Sequence, residues 1–86
     1  MYSIKYRLNV FYRIQLRMNK KEVLIQLGER VKEIRIQKGL TQTELANRIG
    51  KDHPSINKLE NGKVNPSYYF LYEVATGLGI SVNELV

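Results

Sequence analysis

From Tyr2 to Met18 the chain alternates between apolar and polar positions. Tyr2, Ile4, Tyr6, Leu8, Val10, Tyr12, Ile14, Leu16 and Met18 share one parity. Ser3, Lys5, Arg7, Asn9, Arg13, Gln15 and Arg17 share the other, and Phe11 is the exception. Period two in β-branched and aromatic residues predicts a half-buried strand. The run is long against a usual strand of about 5–6 residues. Its phase never flips, which argues against a two-residue hairpin turn. A single bent strand, or a three-residue loop near Asn9, keeps the phase.

After this arm the period changes to that of helices. Asn19-Lys-Lys-Glu22 reads as an N-cap with an acid at N3. Leu24, Leu27, Val31 and Ile34 follow at spacings of three and four, and Lys38-Gly39 is a C-cap signal. Thr41-Gln-Thr-Glu44 is a capping box for a second, short helix that turns Leu45, Ala46 and Ile49 inward and stops at Gly50. Asp52 caps a third helix, with Pro54 in the first turn, where a missing N–H is harmless. That helix buries Ile56 and Leu59 and ends at Asn61-Gly62. Ser67 caps a fourth with Leu71, Val74, Ala75 and Leu78 inward, closed by Gly79, and Ser81-Val-Asn-Glu84 opens a short fifth. The predicted architecture is all-α: a five-helix domain over residues 19–86, preceded by a basic amphipathic β-like arm over residues 1–18.

Composition narrows the function classes. Eighty-six residues allow a single domain. The absence of cysteine excludes a disulfide framework, a zinc ribbon and a thiol nucleophile. The longest apolar-aromatic run, Tyr68 to Tyr72, falls far short of the ~20 residues a membrane helix needs. A net charge of +6 points to nucleic acid. Yet Lys5, Arg7, Arg13, Arg17, Lys20 and Lys21 supply all six charges, and the acids and bases of residues 22–86 cancel at eight each. An argument for DNA must therefore rest on where individual residues sit.

On the third predicted helix Pro54, Asn57, Lys58 and Asn61 recur at i, i+3, i+4 and i+7, one polar stripe opposite Ile56 and Leu59. The runs LTQTELANRIG, SINKLENGK, NPS and LGISVNEL are similar, residues and spacings alike, to those of the Cro-type (XRE) helix-turn-helix family, which includes phage repressors and many small bacterial regulators. The resemblance spans residues 30–86. It implies a lambda-repressor-like, five-helix DNA-binding domain whose second and third helices form the helix-turn-helix. Lys51 departs from the family's pattern, which places an apolar residue just after the turn glycine; its stem can still cover the core. Pro54 departs as well, at a position where the family often carries a hydrogen-bonding side chain.

By that resemblance the third helix enters the major groove, with His53, Pro54, Ser55, Asn57 and Lys58 near base edges. Lysine at 58 suits guanine O6 and N7, asparagine at 57 suits adenine, and Pro54 offers apolar contact to a thymine methyl. Gln42, Asn61, Lys63 and Ser67 match phosphate-holding positions, and Arg35 and Glu60 match a buried ion pair. The function implied is sequence-specific binding of double-stranded DNA by a cytoplasmic, nucleoid-associated bacterial or phage regulator, a homodimeric repressor on an inverted repeat. The alternative is an antitoxin-like module, masking a toxin partner with the arm and the Tyr68 to Tyr72 aromatics, or another protein-interaction module of the same fold with a different protein partner.

No enzymatic step is implied. Asp52, His53 and Ser55 supply the residue types of a hydrolase triad but diverge from one helix start. A single histidine with scattered carboxylates makes no metal site, and no cofactor is expected. Three readings of the arm stay open: a strand pairing with a second chain and covering Tyr69 and Phe70, a disordered basic arm along phosphates, or a segment upstream of a natural start at Met18.

Overall fold

A computed structural model describes residues 18–86, and the β-like arm expected over residues 1–17 lies outside them. The described residues form four α-helices and a closing turn: α1 (Lys20–Gln37), α2 (Gln42–Arg48), α3 (His53–Glu60), α4 (Tyr68–Leu78) and a 3-10 turn at Val82–Glu84. Each α-helix starts on a side-chain cap. Asn19 accepts from the Glu22 N–H, Thr41 from Glu44, Asp52 from Ser55 and Ser67 from Phe70. At Thr41 the box is reciprocal, since Glu44 Oε1 also accepts from the Thr41 N–H at 2.8 Å.

The expected fifth helix is a correction: it is one 3-10 turn. Glu84 N–H bonds to Ser81 O and Leu85 N–H to Val82 O, both at 3.0 Å, an i to i+3 pattern. So short a segment cannot offset the cost of nucleating an α-helix, and the tighter turn is the usual outcome. Leu85, almost fully buried, pins the turn to the core.

Val31, Leu45, Ile56, Leu59, Val74 and Leu78 are the largest fully buried side chains, drawn from all four helices. Burying each contributes about 1.5–3 kcal/mol. Ala46 is buried with them. Gly50 sits in the turn between α2 and α3 with φ +67°, a left-handed conformation in which an L side chain is strained. Gly28 has a different task. A Cβ there lies 2.5 Å from the Glu60 carbonyl oxygen and closer still to that of Leu59, so α1 rests directly on the end of the α3 backbone. That contact sets the pose of α3 against the longest helix of the fold.

Candidate nucleic-acid interface

Helix α3 has two unlike faces. Ile56 and Leu59 are fully enclosed, whereas His53, Pro54, Asn57, Lys58 and Asn61 are exposed. Pro54 lies in the first turn, where it deprives the helix of no hydrogen bond. Ser55 is half-buried and already engaged, its hydroxyl donating to Asp52 Oδ1 at 2.6 Å while its N–H donates to the same oxygen at 2.9 Å. Those two bonds, the hydroxyl's first, hold the Asp52 carboxyl below the usual carboxylate range. Of the residues singled out for base reading, His53, Pro54, Asn57 and Lys58 share the open surface and Ser55 faces its own cap.

A buried ion pair stands behind this surface. Arg35 Nε lies 2.6 Å from Glu60 Oε2, and Arg35 Nη2 donates to Glu60 Oε1 at 3.0 Å. Arg35 Nη1 donates to Leu40 O at 2.7 Å, so the guanidinium ties α1 to both the α1–α2 connection and the end of α3. From Glu60 the polar contacts run outward. Gln42 Nε2 donates to Glu60 Oε1 at 2.9 Å, Asn57 Nδ2 donates to Gln42 Oε1 at 3.3 Å, and Asn61 Nδ2 donates to Asn57 Oδ1 at 3.2 Å. Asn61 Nδ2 also lies 2.9 Å from the Asn57 carbonyl. Gln42, at the first position of α2, is thereby held beside the stripe of α3. Lys63 and Ser67 are exposed on the segment between α3 and the start of α4.

Lys51 does not join this surface. Its ammonium lies 3.5 Å from Glu73 Oε1 and 5.9 Å from the centre of the Phe70 ring, bridging the α2–α3 turn to α4. Phe70 is partly covered, and Tyr68, Tyr69 and Tyr72 stand exposed around it, the rings of Tyr69 and Tyr72 stacked at 6.2 Å. A separate cleft lies between α1 and the C-terminal turn, lined by Val23, Leu27, Arg30, Glu33 and Leu85. The exposed side chains of the stripe stand along one face of α3, an arrangement that suits insertion into a groove.

The relay through Gln42 and the close approach at Gly28 escape sequence reasoning. A lone glycine within a helical repeat was a usable signal for the latter. For the relay there was none, because Gln42 and Asn57 meet only once α2 and α3 are packed. Among the described residues no group of three or more His, Asp or Glu side chains gathers to hold a metal ion. No described helix is long and apolar enough to cross a membrane.

Comparison with known proteins gives a consistent picture. The helix-turn-helix family HTH_3 matches residues 31–85. The HTH-type transcriptional regulator y4dJ of Sinorhizobium fredii is 42% identical over 60 residues, covering 70% of this chain and 78% of its own. Control protein C.MunI of a Mycoplasma species is 35% identical over 65 residues, 74% of this chain and 88% of its own. Among solved structures, the restriction-modification controller protein C.AhdI from Aeromonas hydrophila superposes with a TM-score of 0.74 at 35% identity, covering 76% of this chain and 98% of that one. These relatives carry the names of regulators, not of enzymes. With α2 and α3 arranged around the Gly50 turn and the family matched over most of the chain, the protein belongs to the helix-turn-helix family of DNA-binding transcriptional regulators.

Proposed function

We propose that the protein is a dimeric, sequence-specific repressor that binds an inverted repeat in double-stranded DNA, acting in the cytoplasm on the nucleoid. Residues 19–86 serve as the DNA-binding domain, and residues 1–18 are a basic segment added to it. The observation that carries the reading is the division of α3 into a wholly buried face and an exposed polar one, with Gln42 held alongside the latter. Lys58 and Asn57 read guanine and adenine edges, and His53 and Pro54 complete the base contacts, with Ser55 holding the Asp52 cap beside them. Gln42, Asn61, Lys63 and Ser67 hold phosphates and fix the register.

Size supports the dimer. One module of this kind buries only about 600–1,000 Å² on DNA, too little for tight operator binding alone. A two-fold pair reading half-sites about 34–36 Å apart doubles the contact. The relatives support repression, since an immunity repressor of Bacillus phage phi105 is 37% identical over 60 residues. The test is selection from a random duplex library at about 150 mM salt, where weak non-specific binding is suppressed. Enrichment of an inverted repeat with centres one helical turn apart is the expected result. A pool that stays random overturns the proposal.

A further inference from the structure

The polar chain from Glu60 to Asn57 does more than fill space. The Glu60 side chain is 1% exposed and paired with a guanidinium. An ionised carboxylate offers acceptors only. Facing it, the Gln42 amide has one permitted orientation, Nε2 toward Glu60 Oε1. That choice turns Gln42 Oε1 toward α3, where it accepts a hydrogen bond from Asn57 Nδ2. Asn57 is therefore also oriented, with Oδ1 toward Asn61 Nδ2.

What remains free on Asn57 follows by counting. An amide carries two N–H groups and an oxygen with two lone pairs. Gln42 and Asn61 engage one of each, which leaves one donor and one acceptor unengaged on an exposed side chain. Adenine presents the complement on its major-groove edge, the N7 acceptor beside the N6 donor. The side chain is thus set for a bidentate contact before DNA arrives, and the group that sets it lies two hydrogen bonds away in the interior.

We propose that Glu60 is a positioning residue for sequence reading: through Gln42 it fixes which way the Asn57 amide faces, and so sets the preference for adenine at one operator position. This rests on the DNA-reading function proposed above. A glutamine at 60 keeps the shape but has a single oxygen for the three donors that Glu60 meets; with its NH2 in the place of Oε1, a donor faces Gln42. Gln42 then reverses to offer Oε1 and Nε2 faces Asn57, whose amide is left between two donors, Gln42 Nε2 and Asn61 Nδ2, and loses its fixed orientation.

The experiment is parallel library selection and operator titration with the full-length wild type, Glu60→Gln, Asn57→Ala and their double variant. In folded Glu60→Gln, discrimination at one position is expected to fall by about tenfold or more while other positions keep theirs. Asn57→Ala should lose the same position, and the double variant no more than either. Equal weakening on all sequences by Glu60→Gln leaves that residue purely structural and overturns the proposal, as does an Asn57→Ala that keeps every preference. Should Glu60→Gln fail to fold by circular dichroism, or keep every preference by setting its oxygen in the place of Oε1, Gln42→Met breaks the same link with the ion pair intact. Loss of the Asn57 position in Gln42→Met supports the relay, and retention overturns it. A wild type that enriches no sequence sinks the DNA-reading function itself and the relay with it, an outcome distinct from every one above.

Discussion

Arg35 and Glu60 meet in the interior through two hydrogen bonds, Nε to Oε2 at 2.6 Å and Nη2 to Oε1 at 3.0 Å. Both side chains are almost wholly enclosed, so neither charge has water to fall back on. Removing one partner strands the other. Arg35→Met is expected to cost about 3–5 kcal/mol, and Arg35→Met with Glu60→Leu to recover much of it, since an apolar pair of similar volume is tolerated. Urea unfolding of the three proteins measures this. A double variant no better than the single would mean that the bond to Leu40 O, not the charge, dominates.

Gly28 poses two opposed effects. Alanine is the better helix former by about 0.8–1.0 kcal/mol. Against that, its Cβ collides with the Leu59 and Glu60 carbonyls, which are backbone atoms and cannot swing aside. Overpacking of this kind costs about 1–3 kcal/mol. Gly28→Ala should therefore lower the melting temperature despite its propensity, and a higher one would show that α1 and α3 separate easily.

Lys58 is exposed in the last turn of α3, and in the proposed complex it donates to a guanine. Lys58→Ala is expected to cost about 1–3 kcal/mol on the selected operator and to relax one base position. Titration against single-base operator variants reads both quantities. Uniform loss on every variant would reassign Lys58 to a phosphate.

Two caps make stability depend on acid. Thr41 holds the Glu44 carboxyl below its ordinary range, chiefly through its backbone N–H, and Ser55 does the same for Asp52, chiefly through its hydroxyl. A folded-state value below the unfolded one means that the contribution is complete above the unfolded value and lost as pH falls through the folded value. The melting temperature should thus decline as pH drops below the ordinary carboxylate range. Asn caps a helix about as well as Asp, so Asp52→Asn should melt like wild type near neutrality and show a shallower acid decline. An unchanged decline in that variant would place the acid sensitivity elsewhere.

Local signals carried most of the fold. Asn19, Thr41, Asp52 and Ser67 each cap the helix they announce, because capping is decided within four residues of sequence. The apolar faces through Val31, Leu45, Ile56 and Val74 were equally legible, since helical period and burial coincide there. The last turn was not: Ser81 and Glu84 signal a start, but a start does not set how far a helix runs. Lys51 was half-legible, its departure from an apolar pattern being visible while its partner Glu73, on another helix, was not. The links from Glu60 to Gln42 and from Gln42 to Asn57 lie beyond sequence reading for the same reason, as each joins residues from different helices.

The cations of the helical domain are less available than their number suggests. Arg35 is enclosed by Glu60, Arg48 donates to Gly77 O, Arg30 to Glu84 O, and Lys51 faces Glu73. A cation already satisfied by its own fold displaces few condensed ions from a duplex. Each phosphate neutralised steepens the decline of log K with log salt by about 0.9. In the proposed complex, phosphate contacts through the neutral amides of Gln42 and Asn61 add nothing to that slope. A protein with a pI near 9.7 can therefore grip DNA through its helical domain with a shallow ionic-strength dependence, and keep its discrimination at salt concentrations that strip away binding driven by bulk charge.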